Sequence, residues 1–133
     1  MRRAACAGYR RLVDRVSVPP GFDFPAFAAA IEQKDVGRWL DFYADDAEWI
    51  EYRPGAPPSA PVRMAGRETI GRFLSAVAAS DLRLAVDDEV VGPERAAFRV
   101  TCTLPDGRRI LEHVIVHLHE GRIVRQVEIE AWD

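Results

Sequence analysis

Apolar residues recur along this chain with two different periods, and the change of period divides it. Near the start the spacing is helical. Phe27, Ala28 and Ile31 lie on one side of a helix that Phe24-Pro25 opens and that runs to about Lys34. Asp35 is a suitable N-cap for a second helix over about 36–44, carrying Val36, Trp39, Leu40 and Tyr43 on one face. A third helical stripe, Ile70, Phe73, Leu74 and Val77, follows Gly66 and predicts a helix over about 67–79. Elsewhere the period is two. It predicts a first strand over about 47–53 and four more over about 82–92, 95–104, 108–119 and 122–132. Turn chemistry joins the last four: Gly92-Pro93-Glu94, Pro105-Asp106-Gly107 and His119-Glu120-Gly121. The proline-rich run from Pro54 to Pro61 reads as a stiff exposed connector, with a pocket rim as its alternative role. Helices followed by a meander of strands predict an α+β fold, the helices covering one face of a curved sheet.

Composition sets limits on this picture. With 133 residues and 48% apolar content, the chain has material for one domain with a core. Pro19-Pro20-Gly21 marks off a basic segment containing Arg2, Arg3, Arg10, Arg11 and Arg15. Residues 1–21 are therefore expected to be a flexible, solvated extension, and 22–133 the folded domain. A formal net charge of −3 makes no case for nucleic-acid binding. No run approaches the roughly 18 consecutive apolar residues that span a bilayer, and the N-terminus lacks the apolar region of a secretory signal. Cys6 and Cys102 make neither a disulfide framework nor a metal-ligand pair, so a reducing cytoplasm is the simplest setting. Cys102, in a predicted strand, reads as a small buried hydrophobe.

The candidate chemistry lies in carboxylates on otherwise apolar strands. Ala47, Trp49, Glu51 and Arg53 share one face of the first strand, which sets a carboxylate beside an indole. The preceding Asp45-Asp46 reads as capping the turn after the second helix. On the last strand Val124, Gln126, Glu128, Glu130 and Trp132 share one face, and Ile123, Arg125, Val127, Ile129 and Ala131 the other. Hydrophobicity alone leans toward the aliphatic set inward, which would leave the glutamates in water. The strand before it, Ile110 to His119, adds Glu112. His113 and His117 are about 13 Å apart on that strand, too far to share an ion, and the histidines are assigned to the outer face. Asp87-Asp88-Glu89 reads as a solvated strand edge.

Four features in order carry a family resemblance: the sequence of elements, the Phe42-Tyr-Ala-Asp-Asp-Ala turn, the helix start Ala65-Gly-Arg-Glu-Thr-Ile-Gly-Arg-Phe73, and Gly121-Arg-Ile-Val124. Over about residues 22–133 the chain resembles the nuclear transport factor 2-like superfamily, and within it the SnoaL-like proteins. The resemblance implies a cone-shaped α+β barrel, a strongly bent antiparallel sheet wrapped around N-terminal helices, with a hydrophobic pocket and usually a homodimer. The superfamily includes ketosteroid isomerases, limonene epoxide hydrolases, polyketide cyclases and non-catalytic binding or scaffolding proteins, so fold alone does not settle function.

By this resemblance Glu51 falls where ketosteroid isomerases keep a proton-shuttling carboxylate. Phe27, Leu74 and Val114 stand where those enzymes keep hydrogen-bond donors for the enolate. Limonene epoxide hydrolases are similar at Trp49 and Glu51, but they need an arginine in the strand that here runs from Ile110 to His119, which has none. A SnoaL-type cyclase needs least: one carboxylate removing and returning a proton in an apolar cavity, where burial raises its pKa, with no metal or organic cofactor. The family's inward face implies Glu128, Glu130 and Trp132 around the pocket, with Val127 and Ile129 facing a partner subunit. The expected catalytic groups are thus Glu51, Glu112, Glu128 and Glu130. The expected walls are Trp39, Trp49, Phe73, Val114, Val116 and Trp132, around a small apolar molecule. The alternative is a non-catalytic ligand-binding or dimeric accessory module.

Overall fold

Two aspartates start the first helices. In the computed structural model, which describes residues 21–133, α1 (Phe24–Glu32) begins at Asp23, whose carboxylate accepts the Ala26 N–H at 3.1 Å, with Pro25 in the first turn. Asp35 does the same for α2 (Val36–Asp41), accepting the Arg38 N–H at 3.2 Å. Of the expected 1–21 extension, residues 1–20 lie outside the described residues. No helix among the described residues is long and apolar enough to cross a membrane.

α3 (Arg67–Ala79) has no side-chain cap and starts at Gly66, held at φ 88°, ψ 146°. The Gly66 N–H donates to the Ala47 carbonyl at 2.9 Å, which ties the helix start to the first strand. A Cβ at Gly66 would meet no close neighbour, so the constraint there is backbone conformation rather than space. Gly66→Ala is therefore expected to destabilise the domain by about 1–3 kcal/mol in urea unfolding. An unchanged midpoint would contradict this.

Six strands form one sheet: β1 (Tyr43–Tyr52), β2 (Val62–Ala65), β3 (Arg83–Val91), β4 (Arg95–Thr103), β5 (Arg109–His119) and β6 (Arg122–Trp132). Their order is β2-β1-β6-β5-β4-β3. Neighbours are antiparallel except β1 and β6, which are parallel. The α+β architecture is as expected, but the sheet is mixed and open, with β2 and β3 as edges, rather than wholly antiparallel and closed. Phe27 and Ile31 of α1, Trp39 of α2, and Ile70 and Leu74 of α3 pack with Leu84, Phe98, Val100, Val114, Val116 and Ile123 to make the core.

Two local expectations are corrected. Strand β1 begins at Tyr43, not Ala47, so Asp45 and Asp46 are exposed strand residues rather than a helix-terminating turn. β6 supplies the reason. Its Ile123 N–H donates to the Phe42 carbonyl at 2.8 Å and Ile123 pairs with Tyr43, so ladder bonds override the poor strand propensity of aspartate. A register shift between Tyr43 and Glu48 absorbs the acidic residues. The four-residue β2 was also not foreseen. It is short, follows the proline run, and owes its strand form to pairing with Glu48–Glu51.

Candidate active site

The register of β1, β6 and β5 brings four carboxyl groups together. Across β5 and β6, inward residues pair as Ile110 with Trp132, Glu112 with Glu130, Val114 with Glu128, and Val116 with Gln126. On the other flank Glu51 of β1 pairs with Glu128. Directly opposed residues place their Cβ atoms about 4.5–5.5 Å apart, so Glu51 and Glu128 meet, and Glu112 and Glu130 meet one pleat nearer the mouth. The ladder also runs from wet to dry. Trp132 is 47% exposed, Glu130 is half-buried and Glu128 is 2% exposed.

These residues border a cavity of about 260 Å³. That is just below the roughly 300–1,000 Å³ typical of sites for drug-sized ligands, so its occupant is small. All four expected carboxyls line it, as do Trp39, Trp49, Phe73, Val114 and Trp132. Val116 does not: it is fully buried in the core and lies deeper along β5 than Val114, beyond the cavity wall. The proline run borders a separate shallow depression through Ala56, Pro57 and Pro58. The glutamate face of β6 points inward. A register shift between His117 and Leu118 also breaks the simple alternation, turning Ile123 into the core and leaving Val124 half-buried.

Arg53 was not foreseen as a site residue. It follows β1 at a two-residue Pro54-Gly55 turn closed by reciprocal hydrogen bonds between Arg53 and Ala56, at 3.1 and 2.8 Å. Gly55 takes φ 84° there. This turn holds the guanidinium over the pocket, with Arg53 Nε 2.6 Å from Glu51 Oε1. The N–H does not point along that line, so the contact is an ion pair without an aligned hydrogen bond. The guanidinium centre also sits 5.9 Å from the Trp132 ring. Sequence placed Arg53 on the face of Glu51; the turn that aims it was the missing information.

Tyr43 and Gln126 complete the polar set. The Tyr43 hydroxyl donates to Gln126 Oε1 at 2.6 Å, and Gln126 Nε2 donates to Glu128 Oε2 at 3.0 Å. Burial, then the nearby Glu128 charge, pushes the phenol's pKa up, so Tyr43 remains a donor. Tyr43→Phe would orphan a buried amide oxygen and is expected to cost about 1–3 kcal/mol in denaturant unfolding. A cost below about 0.3 kcal/mol would show that the Gln126 bond carries no weight.

Three carboxyls are held toward their neutral form. Burial is the main cause for Glu128, reinforced by the charges of Glu112 and Glu51, and raises it well above the ordinary range. Glu112 is pushed up to about 8 by burial and then by Glu130, against the Cys102 thiol, which donates to its Oε1 at 3.3 Å. Glu130 is pushed up to about 7 by burial and by the charge of Glu51, while a hydrogen bond from the Trp132 indole opposes the rise. The Cys102 thiol is itself pushed up by burial and by Glu112, so it stays protonated and inert. Glu51 Oε2 has no donor in this arrangement; a protonated Glu130 is the neighbour that can supply one.

Oxygens of Glu51, Glu128 and Glu130 lie within 4.8 Å of one another, the proximity a metal ion requires. The surroundings suit one poorly. Hard divalent cations take six to eight oxygens, whereas this wall is otherwise mostly apolar and a guanidinium already contacts Glu51. His113, His117 and His119 alternate with the inward residues of β5 and lie outside the cavity.

The description of a SnoaL-like domain matches residues 24–126. The chain belongs to that family. No functionally curated protein matches it. Among solved structures, an NTF2-like protein of unknown function from Mesorhizobium loti is 20% identical with a TM-score of 0.70, covering 81% of this chain and 87% of its own. A candidate ketosteroid isomerase from Kribbella flavida is 20% identical with a TM-score of 0.66, over 83% and 74% of the two chains. A SnoaL-like protein of unknown function from Burkholderia thailandensis is 23% identical with a TM-score of 0.59, over 80% and 89%. At these identities the likeness concerns the fold.

Proposed function

We propose that this SnoaL-like domain binds a small, largely apolar molecule and moves a proton on it, using its own carboxyl groups rather than a cofactor. One observation carries the reading: Glu51, paired with a guanidinium, stands beside carboxyls that burial keeps protonated near neutral pH. A carboxyl in contact with a guanidinium, next to carboxyls held protonated, offers acid–base catalysis both a proton acceptor and proton donors. Glu51 accepts a proton from the bound molecule. Protonated Glu128, Glu130 or Glu112 donates to the oxygen on which charge develops, a role that Phe27, Leu74 and Val114 cannot fill. Trp39, Trp49, Phe73 and Val114 supply the apolar wall.

The reaction class is tested by exchange in D₂O. Small enolisable ketones of a size the cavity takes should incorporate deuterium at the acidic carbon in the presence of the protein. No acceleration over buffer across such a panel would remove the proton-transfer reading and leave the accessory-module alternative. Arg53 favours a second, hydrolytic variant, in which carboxylates flanking a guanidinium activate water. Incorporation of ¹⁸O from labelled water into an epoxide-derived product would favour it over isomerisation.

The proposed partner subunit is a second copy of this chain on the outer sheet face, where Ile129 and Ile115 are 62% and 48% exposed and border a groove with His113 and Val127. Ile129→Glu is expected to convert a dimer to monomer in sedimentation equilibrium. A wild-type protein that sediments as a monomer contradicts the proposal.

A further inference from the structure

We propose that the ligand for which this pocket is built carries a positive charge: a small organic ammonium with a hydrocarbon body. The inference rests on the reading that the cavity is the ligand site, and it names the chemistry of the occupant. Four carboxyls border the cavity against one guanidinium, and because Arg53 is already engaged with Glu51, ionisation of any further carboxyl leaves a negative charge there without a cationic partner. Glu51 is 4% exposed, and although Arg53 contacts its Oε1, its Oε2 is a buried acceptor with no hydrogen-bond partner, open to a donor from Glu130 or from a ligand. The remaining wall offers what an ammonium body uses. Trp39, Trp49, Phe73 and Trp132 border the same space, and aromatic rings attract cations within about 6 Å. Arg53 shows that distance at Trp132. A divalent metal would find three oxygens but few further hard ligands, whereas a monovalent cation with an apolar shell matches both parts of the wall.

Protons and the ammonium compete for the same oxygens. The groups facing the occupant are Tyr43, Glu51 and Arg53 from the β1 side, Cys102 from β4, Glu112 from β5, and Glu128 and Glu130 from β6. The helices contribute Phe27, Ile31, Trp39, Phe73 and Val77, none of them charged. A bound cation favours the ionised forms of Glu130 and Glu112, which without it hold their protons to about 7 and about 8. Binding therefore releases protons and tightens as pH rises through that window.

The test compares choline, whose charge does not titrate, with its neutral isostere 3,3-dimethylbutan-1-ol, read by indole resonances in ¹H–¹⁵N spectra. At pH 8 choline is expected to bind about tenfold more tightly than the alcohol, with the gap closing toward pH 5.5. Glu130→Gln and Glu112→Gln should weaken choline at pH 8 by a larger factor than they weaken the alcohol. Equal binding of the two, or tighter binding of the alcohol, overturns the cation inference while the pocket reading stands. If neither shifts an indole resonance, the pocket reading falls with it. Tight binding of Mn²⁺ alone that choline does not displace would assign the cluster to a metal and also overturn the proposal.

Discussion

Glu51→Gln is expected to slow proton transfer in this pocket by about 10²- to 10⁴-fold, the usual contribution of a positioned general base. Glutamine matches the shape of glutamate, so the indole wall and the β1–β6 ladder stay in place and the loss reports chemistry rather than unfolding. The substitution removes the carboxylate that contacts Arg53, and with it the acceptor for the substrate proton. Deuterium exchange measures the effect directly; a loss of less than about threefold would mean that Glu51 is not the base. The same rate should depend on pH in a defined direction. The acid partner must be protonated, so the rate is expected to fall as pH rises through about 7 to 8, where Glu130 and Glu112 lose their protons.

Folding stability is expected to decrease as pH rises from about 5 to 8. For carboxyls whose folded pKa is raised, the folded state binds more protons than the unfolded state between the ordinary value near 4.5 and the raised one. In that interval the slope of unfolding free energy with pH is negative. The stabilisation is full below the unfolded pKa and lost as pH passes the folded one. For Glu112 alone the loss is on the order of 3 kcal/mol, set below the full shift because the denatured and native states both relax. Glu128 adds to it, and half-exposed Glu130 adds less. Exposed pairs such as Asp87 with Arg99 have lowered carboxylate pKa values and act with the opposite sign, but only at more acidic pH. Urea titrations at pH 5, 6, 7 and 8 check the slope. Glu112→Gln should flatten it; a wild-type curve that rises over this range would contradict the buried-acid account.

Much of the helical framework could be read from sequence because its signals are local. Pro25 and Asp35 mark helix starts by chemistry that does not depend on the rest of the fold, and Gly66 marks the third by its backbone freedom. The four-strand meander was legible for the same reason, through period-two alternation and its turns. The choice of face on β6 was not. Ile123, Val127 and Ile129 make as good a core face as any by hydrophobicity, and only the family resemblance pointed to Glu128 and Glu130 as inward. The structure resolves the ambiguity with a register shift that puts Ile123 inside together with the glutamates, a combination no strict alternation produces. Tyr43 was misread as the last residue of a helical stripe, because its strand character comes from pairing with Ile123, eighty residues on. Arg53 was visible beside Glu51, yet its engagement depends on the Pro54-Gly55 turn and so on tertiary geometry.

The central claim is that one apolar cavity holds several carboxyl groups in their protonated form near neutral pH, next to a guanidinium-paired base. Carbon-detected NMR of side-chain ¹³C-labelled glutamate tests it most directly, with Glu112→Gln, Glu128→Gln and Glu130→Gln assigning the resonances. The expected result is three carboxyls titrating above the ordinary carboxylate range, Glu130 near 7, Glu112 near 8 and Glu128 well above it. Titration of every glutamate near the ordinary value of about 4.3 would contradict it.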